Sequence, residues 1–337
     1  MAQLSDVLLQ VAVLVYLAAM MGYLVEFAFG RQGAVARVAA RADLVTVGAA
    51  AAPVSPAPPV SPISPAPPVS PVVPARTARP PIPAGRAARF GAVAVGLSVL
   101  GLAVHIGVLV TRGLAAGRVP WGNMYEFVLT LTAVGSLGWL VLVSRRPALR
   151  PLGVFVAAAL TLLLGFAGVV LHTAAEPLMP ALNSYWLKIH VTAAATASGL
   201  LLLGFIPAAL FLVRAGYDAG KRRFPYTIGR NLPAADSLER LTFRLHTFAF
   251  PIWTLAVICG AIWAEAAWGR YWGWDPKETW SFISWVAYAA YLHARATPSV
   301  KRTTATWFAV AAWGTMLINL YVINFVAVGL HSYAGVK

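Results

Sequence analysis

Apolar residues occur in long continuous runs of about 20 positions, separated by short polar segments. A continuous run of this length is typical of an α-helix that crosses a bilayer, whereas alternation of apolar and polar positions would indicate membrane-spanning strands. The pattern predicts an all-α polytopic membrane protein with about eight transmembrane helices. The predicted spans cover 7–29, 90–111, 124–144, 151–171, 190–213, 246–266, 279–296 and 304–328.

Composition supports this fold class. Of the 337 residues, 59% are hydrophobic and only 11% are charged. A soluble domain of this size needs more charge on its surface, so a membrane protein is expected. The net charge is nevertheless +15, and the placement of the basic residues becomes informative.

The distribution of lysine and arginine predicts the orientation. With both termini outside, 20 of the 26 basic residues fall in the cytoplasmic segments 30–89, 145–150, 214–245 and 295–302. This asymmetry satisfies the positive-inside rule. It also accounts for most of the positive charge without a nucleic-acid partner, because such segments contact anionic lipid.

Residues 31–88 differ in composition from the apolar spans. Thirteen of the 24 prolines lie between Pro53 and Pro83, and the octapeptide Ser55–Pro62 recurs at Ser64–Pro71. Such a segment favours polyproline II or disorder. We expect an N-terminal transmembrane anchor over 1–30, a cytoplasmic proline-rich tether over 31–88 and a seven-helix domain over 89–337. A signalling role for the proline motifs is the less favoured alternative.

Several chemistries are excluded by absent motifs. The single cysteine, Cys259, rules out a disulfide within the chain. There is no C-x-x-C-H haem-attachment motif, no phosphate-binding P-loop and no glycine-rich dinucleotide fingerprint. We therefore expect no use of ATP or of a nicotinamide cofactor.

A tryptophan-rich segment lies between the sixth and seventh predicted helices. Residues 268–280 read Trp-Gly-Arg-Tyr-Trp-Gly-Trp-Asp-Pro-Lys-Glu-Thr-Trp, with four tryptophans. This density exceeds what an interfacial aromatic belt requires and indicates a platform for a flat, apolar ligand. The end of the segment also has a structural interpretation, because Asp275, Pro276 and Glu278 form a helix capping box. Both interpretations can hold together.

Two histidines are predicted at the same outer level as this segment. His190 opens the fifth helix, and His331 follows the eighth. Two neutral imidazoles that face each other across a plane can supply both axial ligands of haem iron. Arg118, Arg270 and Lys277 are also predicted at this face, where they would pair with haem propionates or with lipid phosphates.

The remaining histidines differ in depth. His293 lies about 22 Å along its helix, in the inner part of the bilayer, where an ionisable residue indicates a functional site. Its alternative position is the inner headgroup level beside Arg295. His246 is expected at the cytoplasmic start of the sixth helix, and His105 within the second. A histidine of a partner protein is expected to supply the second ligand beside His293, and His105 or His246 is the competing possibility because either helix could pack nearby.

The segment 268–280 resembles the WWD signature of the haem-handling protein superfamily, and its Asp-Pro-Lys-Glu-Thr-Trp ending is most similar to the CcsA-type branch. Further similarity occurs at 120–126, 183–190, 288–295 and 329–333, so the resemblance covers roughly residues 90–337. It implies that the loop over 263–280 is external and that haem b is a transient substrate. The implied haem-binding residues are His190, His331 and His293 as axial ligands, with Trp263, Trp268, Trp272, Trp274, Asp275, Trp280 and Arg270.

The resemblance implies a haem-delivering subunit of a System II cytochrome c synthase in the bacterial cell membrane, active at the extracytoplasmic face. The implied partners are a separate ResB-type membrane protein, apocytochrome c and thiol-reducing proteins. Thioether formation would belong to the complex, and no residue is assigned as a catalytic acid or base. Two other functions stay open: a haem exporter without synthase activity, and a b-type electron-transfer cytochrome.

Overall fold

The computed structural model describes residues 1–30, 84–178, 183–327 and 329–331. Within these residues all regular structure is helical, which confirms the expected all-α class. The proline-rich part of the predicted tether lies outside the described residues, and residues 84–88 begin the second helix. The long helices are α1 (Ala2–Phe29), α2 (Ala84–Ala116), α3 (Met124–Arg145), α4 (Gly153–Val170), α5 (Tyr185–Asp218), α6 (Ala235–Trp268), α7 (Pro276–Ala296) and α8 (Arg302–Leu317).

Short helical segments extend this framework. 3₁₀ turns over Pro147–Leu152 and Tyr226–Asn231 precede α4 and α6. After α8 the chain continues as a π-helical segment, Ile318–Val322, and a last turn, α9 (Ile323–Val326). A π segment widens the helix locally, and such segments are frequent at functional sites.

Seven of the described helices are long and apolar enough to cross a membrane, namely α1 to α6 and α8 with its continuation. The chain is therefore a multi-pass membrane protein. The eighth predicted span, 279–296, is observed as the 21-residue helix α7. It is long enough to cross, but its tryptophan, tyrosine and serine residues lower its hydropathy. Its crossing stays a prediction, and so does the placement of both termini outside.

Helix α6 starts at Ala235, well before the predicted start at 246. Its first turns already carry buried residues at helical spacing, Leu238, Leu241 and Thr242. The expectation that His246 begins a helix at the membrane surface is therefore wrong. His246 lies inside α6 and is only 1% exposed.

Helix α1 belongs to the core of the bundle. Tyr16 Oη donates to Ser136 Oγ of α3 at 2.9 Å, and Trp139 Nε1 donates to Tyr23 Oη at 3.1 Å. Near the C-terminal end of α1, Arg150 Nε donates to the buried Glu26 carboxylate at 2.9 Å. Buried polar groups thus join α1 to α3 and to the segment before α4, and the division into an anchor over 1–30 and a seven-helix domain stays a prediction.

Close helix approach holds α3 against α5. A Cβ atom on Gly199 of α5 would lie 2.5 Å from the Leu131 carbonyl oxygen and 3.0 Å from the Gly135 amide nitrogen of α3. Small residues at such contacts let backbones approach closely, which is how helices associate in membranes. α5 also packs along α6 and α8, so it is the central helix around which the candidate site is built.

This contact predicts the effect of one methyl group. Gly199→Ala should lower the free energy of unfolding by about 1–3 kcal/mol, because the backbone of α3 must move away. Gly165→Ala is the matched control, since a Cβ there would meet nothing within 4 Å. It should change stability by less than about 1 kcal/mol. Thermal unfolding in detergent measures both, and equal melting temperatures would contradict the close approach.

Candidate functional site

One cavity lies between α5, α6, α7, the end of α8 and the start of α3. Its empty space is about 1260 Å³ when the open space at the mouth is counted, so the enclosed part of the cavity is smaller. Aromatic rings form much of its wall: Trp121, Trp253, Trp263, Trp268, Tyr271, Trp272 and Trp313.

His190 and His331 both line this cavity and both adjoin the buried Trp263. The His190 ring stacks parallel to the Trp263 ring, with 6.1 Å between centroids. The His331 ring meets Trp263 edge-on at 5.9 Å and Trp268 at 5.0 Å. The structure thus brings together two histidines that lie far apart in the sequence.

His190 is oriented by the backbone of α6. The Ser184 hydroxyl caps the start of α5 by accepting from the Leu187 amide at 3.3 Å, which places His190 in the second turn. His190 Nδ1 lies 2.8 Å from the Ala256 carbonyl oxygen. A carbonyl only accepts, so Nδ1 carries the proton and the lone pair lies on Nε2. Gly260 leaves room for the ring, because a Cβ there would lie 2.8 Å from His190 Cε1.

His331 is oriented by a carboxylate. Its Nδ1 lies 2.9 Å from Asp275 Oδ2, and the Leu330 amide donates to Asp275 Oδ1 at 2.7 Å. Gly329 passes so close that a Cβ would lie 2.4 Å from Asp275 Oδ1. A carboxylate that accepts from Nδ1 fixes the ring and raises the basicity of Nε2, as in many metal-ligating histidines.

Asp275 also caps α7, since Oδ2 accepts from the Lys277 amide at 3.2 Å. Burial would raise the pKa of the Asp275 carboxyl, but the hydrogen bonds from His331 and from the Leu330 and Lys277 amides outweigh burial and lower that pKa. These contacts therefore stabilise the fold above the unfolded pKa of about 4, and their contribution is lost as the pH falls through the folded pKa. The helix-capping role that the sequence indicated for Asp275 is confirmed, and its role in a haem site stays a prediction.

Glu278 closes the tryptophan loop from within. Its Oε2 accepts from the Gly273 amide at 2.8 Å and from the Asp275 amide at 3.1 Å, which completes the capping box. Arg270 Nη1 lies 3.4 Å from Glu278 Oε1. Arg270 is not among the described residues that line the cavity, and its cation is directed at this carboxylate.

The five predicted tryptophans divide into two groups. Trp263, Trp268 and Trp272 line the cavity, whereas Trp274 and Trp280 are not among its described lining residues. Trp263 and Trp268 belong to the end of α6, Trp280 belongs to α7, and only Trp272 and Trp274 lie in the loop between the two helices. Trp274 has φ 58°, is 65% exposed and packs edge-on against Trp272 at 5.7 Å.

Lys277 brings a cation to the cavity wall. Its Nζ lies 3.6 Å from Met124 Sδ. Burial lowers the pKa of Lys277 to about 7, and the nearby Asp275 carboxylate opposes this shift. The apolar part of α7 follows this residue, so Lys277 lies at the mouth-side end of the helix.

His293 lies elsewhere on α7. It is exposed and is not among the described residues that line the cavity. Tyr288 and Tyr291 of the same helix pack against His246, with ring centroids 5.5 and 4.9 Å away. At about 100° per residue, His293 lies on the side of α7 turned away from those tyrosines. His105 packs against Tyr16 of α1, with ring centroids 6.2 Å apart.

Sequence reasoning missed three wall residues, Trp121, Trp253 and Trp313. Trp121 lies within the short similarity at 120–126, where a signal existed. Trp253 and Trp313 lie inside apolar helices, where a tryptophan is indistinguishable from ordinary core packing. Their place in the wall depends on how α6 and α8 pack against α5.

The fold and the site define a polytopic membrane protein with an aromatic cavity flanked by two oriented histidines. The family described as "Cytochrome C assembly protein" matches residues 121–331, and the chain belongs to that family. This match spans every cavity residue named above, from Trp121 to His331.

Individual relatives narrow the family to its CcsA-type members. The chain is 33% identical to the cytochrome c biogenesis protein CcsA of Guillardia theta over 257 residues, covering 72% of this chain and 85% of the relative. It is 31% identical to the CcsA of Synechococcus sp. (strain JA-2-3B'a(2-13)) over 301 residues, covering 70% of this chain and 85% of the relative. It is 30% identical to the CcsA of Gloeobacter violaceus over 296 residues, covering 72% of this chain and 86% of the relative.

The resemblance noted in the sequence is thereby confirmed, and the chain is a membrane protein of cytochrome c biogenesis. Membership of this family implies that the protein handles haem and that apocytochrome c is its substrate.

Asp275→Asn should uncouple His331 from α7. The carboxylate accepts on both oxygens, whereas a carboxamide turns an NH₂ group toward one set of donors. We expect maturation of a coexpressed cytochrome c to fall about 10- to 100-fold, measured as covalent haem in the cytochrome at equal membrane levels of the variant. The exposed Asp236→Asn is the control and should mature cytochrome normally. Normal maturation with Asp275→Asn would show that His331 does not need this carboxylate.

Proposed function

We propose that this chain is the haem-delivering subunit of a System II cytochrome c synthase, which presents haem b to apocytochrome c at the extracytoplasmic face. The observation that supports this proposal is the pair His190 and His331 on one aromatic cavity, both adjoining Trp263. Neutral imidazoles are common axial ligands of haem iron, and flat aromatic walls suit a porphyrin.

The donor set fits haem as a bound substrate. Hydrogen bonding at Nδ1, to Ala256 O for His190 and to Asp275 for His331, directs the iron-binding lone pair of each ring to Nε2. The rigid start of α7 holds Asp275 in place and with it His331. The chain therefore contributes binding and orientation, and no side chain of the cavity needs to act as acid or base.

Haem itself supplies the reactive group of the final step. A cysteine thiol of apocytochrome c adds across a vinyl group: the sulfur forms a bond to one vinyl carbon and hydrogen is added to the other. The addition is redox-neutral, but it requires reduced cysteines, which is the reason to propose thiol-reducing proteins as partners. Positioning of the vinyl edge toward the cavity mouth is what this chain would provide.

The orientation follows the charge distribution. The bacterial cell membrane is the proposed location, with the arginine-rich segments 145–150 and 214–245 in the cytoplasm. The starts of α5 and α7, where His190 and Asp275 lie, are then at the extracytoplasmic ends of their helices. This arrangement would let apocytochrome c meet the cavity on the side where it folds.

A ResB-type membrane protein is the proposed partner, and His293 is the residue that supports it. The imidazole is exposed on α7, away from His246 and from the cavity. An exposed ionisable residue within a membrane helix calls for a partner group. We propose that haem is received between His293 and a histidine of the partner, then passed to His190 and His331.

The external pair can be tested by chemical rescue. His190→Gly and His331→Gly should each abolish maturation of a coexpressed cytochrome c, because one axial ligand is lost. Imidazole in the medium should restore maturation in part, since it fills the space that the ring leaves. His172→Gly, which removes an exposed histidine paired with Asp6, is the control and should need no rescue. The measurement is covalent haem per cytochrome at equal levels of each variant.

Two outcomes would contradict the proposal. Full maturation with His190→Gly would remove this histidine from the site. Haem transfer to the outside by the purified complex, without thioether formation on added apocytochrome c, would favour the exporter over the synthase. Membership of a cytochrome c biogenesis family argues against a b-type electron-transfer cytochrome.

The inner site has its own test. His293→Gly in the complex with its partner should lower copurifying haem at least tenfold, while His190 and His331 stay intact. Added imidazole should restore the six-coordinate haem spectrum. His246→Gly should leave that spectrum unchanged, although the buried substitution lowers stability. Wild-type haem content with His293→Gly would make His293 an interfacial residue.

A further inference from the structure

Three cations near the cavity mouth are candidates to bind an anionic group of the ligand: Arg118, Arg270 and Lys277. The structure assigns two of them to other partners. Arg118 Nη1 lies 2.7 Å from the fully buried Glu126 carboxylate. Arg270 lies 3.4 Å from Glu278, which is itself buried. Glu126 also accepts from the buried Arg112 at 3.0 Å, so Arg118 shares its carboxylate with a second arginine. Arg118 and Arg270 thus each have a carboxylate acceptor among the described residues.

Lys277 differs from both arginines. It is the only lysine or arginine among the described residues that line the cavity. In the described part of the chain its ammonium has one hydrogen-bonding neighbour, the Met124 thioether sulfur at 3.6 Å. An ammonium has three donors, and a thioether is a weak acceptor. Among the described residues, Lys277 therefore has no strong acceptor.

The nearby Asp275 carboxylate does not supply the missing acceptor for the Lys277 ammonium. Asp275 accepts from His331, from the Leu330 amide and from the Lys277 backbone amide. These three hydrogen bonds occupy the Asp275 carboxylate, which orients His331 and caps the start of α7. Lys277 is partly buried, so its charge is costly without a strong acceptor, and an anion in the cavity would stabilise the charged form.

We infer that Lys277 binds a carboxylate of the cavity's ligand, and that with haem in the cavity this group is a propionate. The inference rests on the function proposed above. It also adds a consequence for orientation. In haem b the propionates lie on one edge of the ring and the vinyl groups lie elsewhere on its periphery. An anchored propionate therefore fixes the rotation of the ring about the axis between its two histidines.

The position of Lys277 supports this consequence. Lys277 lies in the first turn of α7, two residues after the cap residue Asp275 that holds His331. One rigid helix start would therefore fix both an axial ligand and the rotational anchor of the ring. Iron ligation alone leaves that rotation unset, because two axial bonds define only an axis.

The test compares two probes in the purified complex with its partner, ferric protoporphyrin IX and its dimethyl ester. The wild type should bind the free acid about 10- to 100-fold more tightly than the ester, the range expected for a charge-assisted hydrogen bond. Lys277→Met should bind both probes equally, at the wild-type affinity for the ester, and should keep the bis-histidine spectrum. Lys188→Met, at an exposed position near the start of α5, is the matched control and should keep the preference.

Two further variants distinguish loss of the positive charge at Lys277 from a folding defect. Lys277→Gln should also lose the preference, and Lys277→Arg should restore it. A wild-type preference that survives Lys277→Met and Lys277→Gln would overturn the inference while the proposed function stands. Absence of the bis-histidine spectrum in the wild type would instead overturn the proposed function, and the propionate assignment with it.

Discussion

The buried carboxylate of Asp275 is the interaction on which the site depends. A charge at 6% exposure persists only if donors surround it, and three donors do so here: the Lys277 amide, the Leu330 amide and His331 Nδ1. The first belongs to the start of α7 and the others to the segment after α9. Satisfying one carboxylate therefore ties two distant parts of the chain together and orients a histidine toward the cavity. Glu278, about one turn further along the chain, is a second buried carboxylate with the same function. It accepts hydrogen bonds from the Gly273 and Asp275 amides and so fixes the conformation of the tryptophan loop.

Much of the site could be predicted from the sequence because its signals are local. The tryptophan segment stands out because it is denser than an interfacial aromatic belt requires, and His190 and His331 stand out as ionisable residues at the ends of apolar spans. The capping box is visible in the residues Asp275, Pro276 and Glu278. The partners of the cations were not readable. Arg118 and Arg270 look like ligand-binding residues until the structure shows Glu126 and Glu278 beside them. A cation's partner depends on packing among several helices, whereas a helix cap depends on neighbours in the chain.

The errors in the predicted fold also arise because packing between helices cannot be read from a single segment of the sequence. Hydropathy predicted the membrane spans well, since the free energy of apolar transfer is a property of each segment. It predicted the start of α6 poorly, because residues 235–245 are amphipathic and belong to a helix only through their packing against neighbours. It could not show that α1 joins the core, because a lipid-facing and a protein-facing apolar helix have similar composition. The tyrosines Tyr16 and Tyr23, with partners on α2 and α3, were the available signal. Polar side chains within a span indicate contact with another helix more reliably than apolar ones do.

The two cavity histidines are held in different ways, and this difference bears on the proposed delivery of haem. His190 belongs to a helix of 34 residues, and its ring is fixed to the backbone of a neighbouring helix of the same length. His331 lies on a short segment whose orientation depends on a side chain, Asp275. His190 is thus held by the helix backbone, whereas His331 is held by side chains, namely the Asp275 carboxylate and the rings of Trp263 and Trp268. Under the proposed function, the cavity would combine an iron ligand fixed by two long helices with one on a short segment, so that haem could be released by a movement of the short segment.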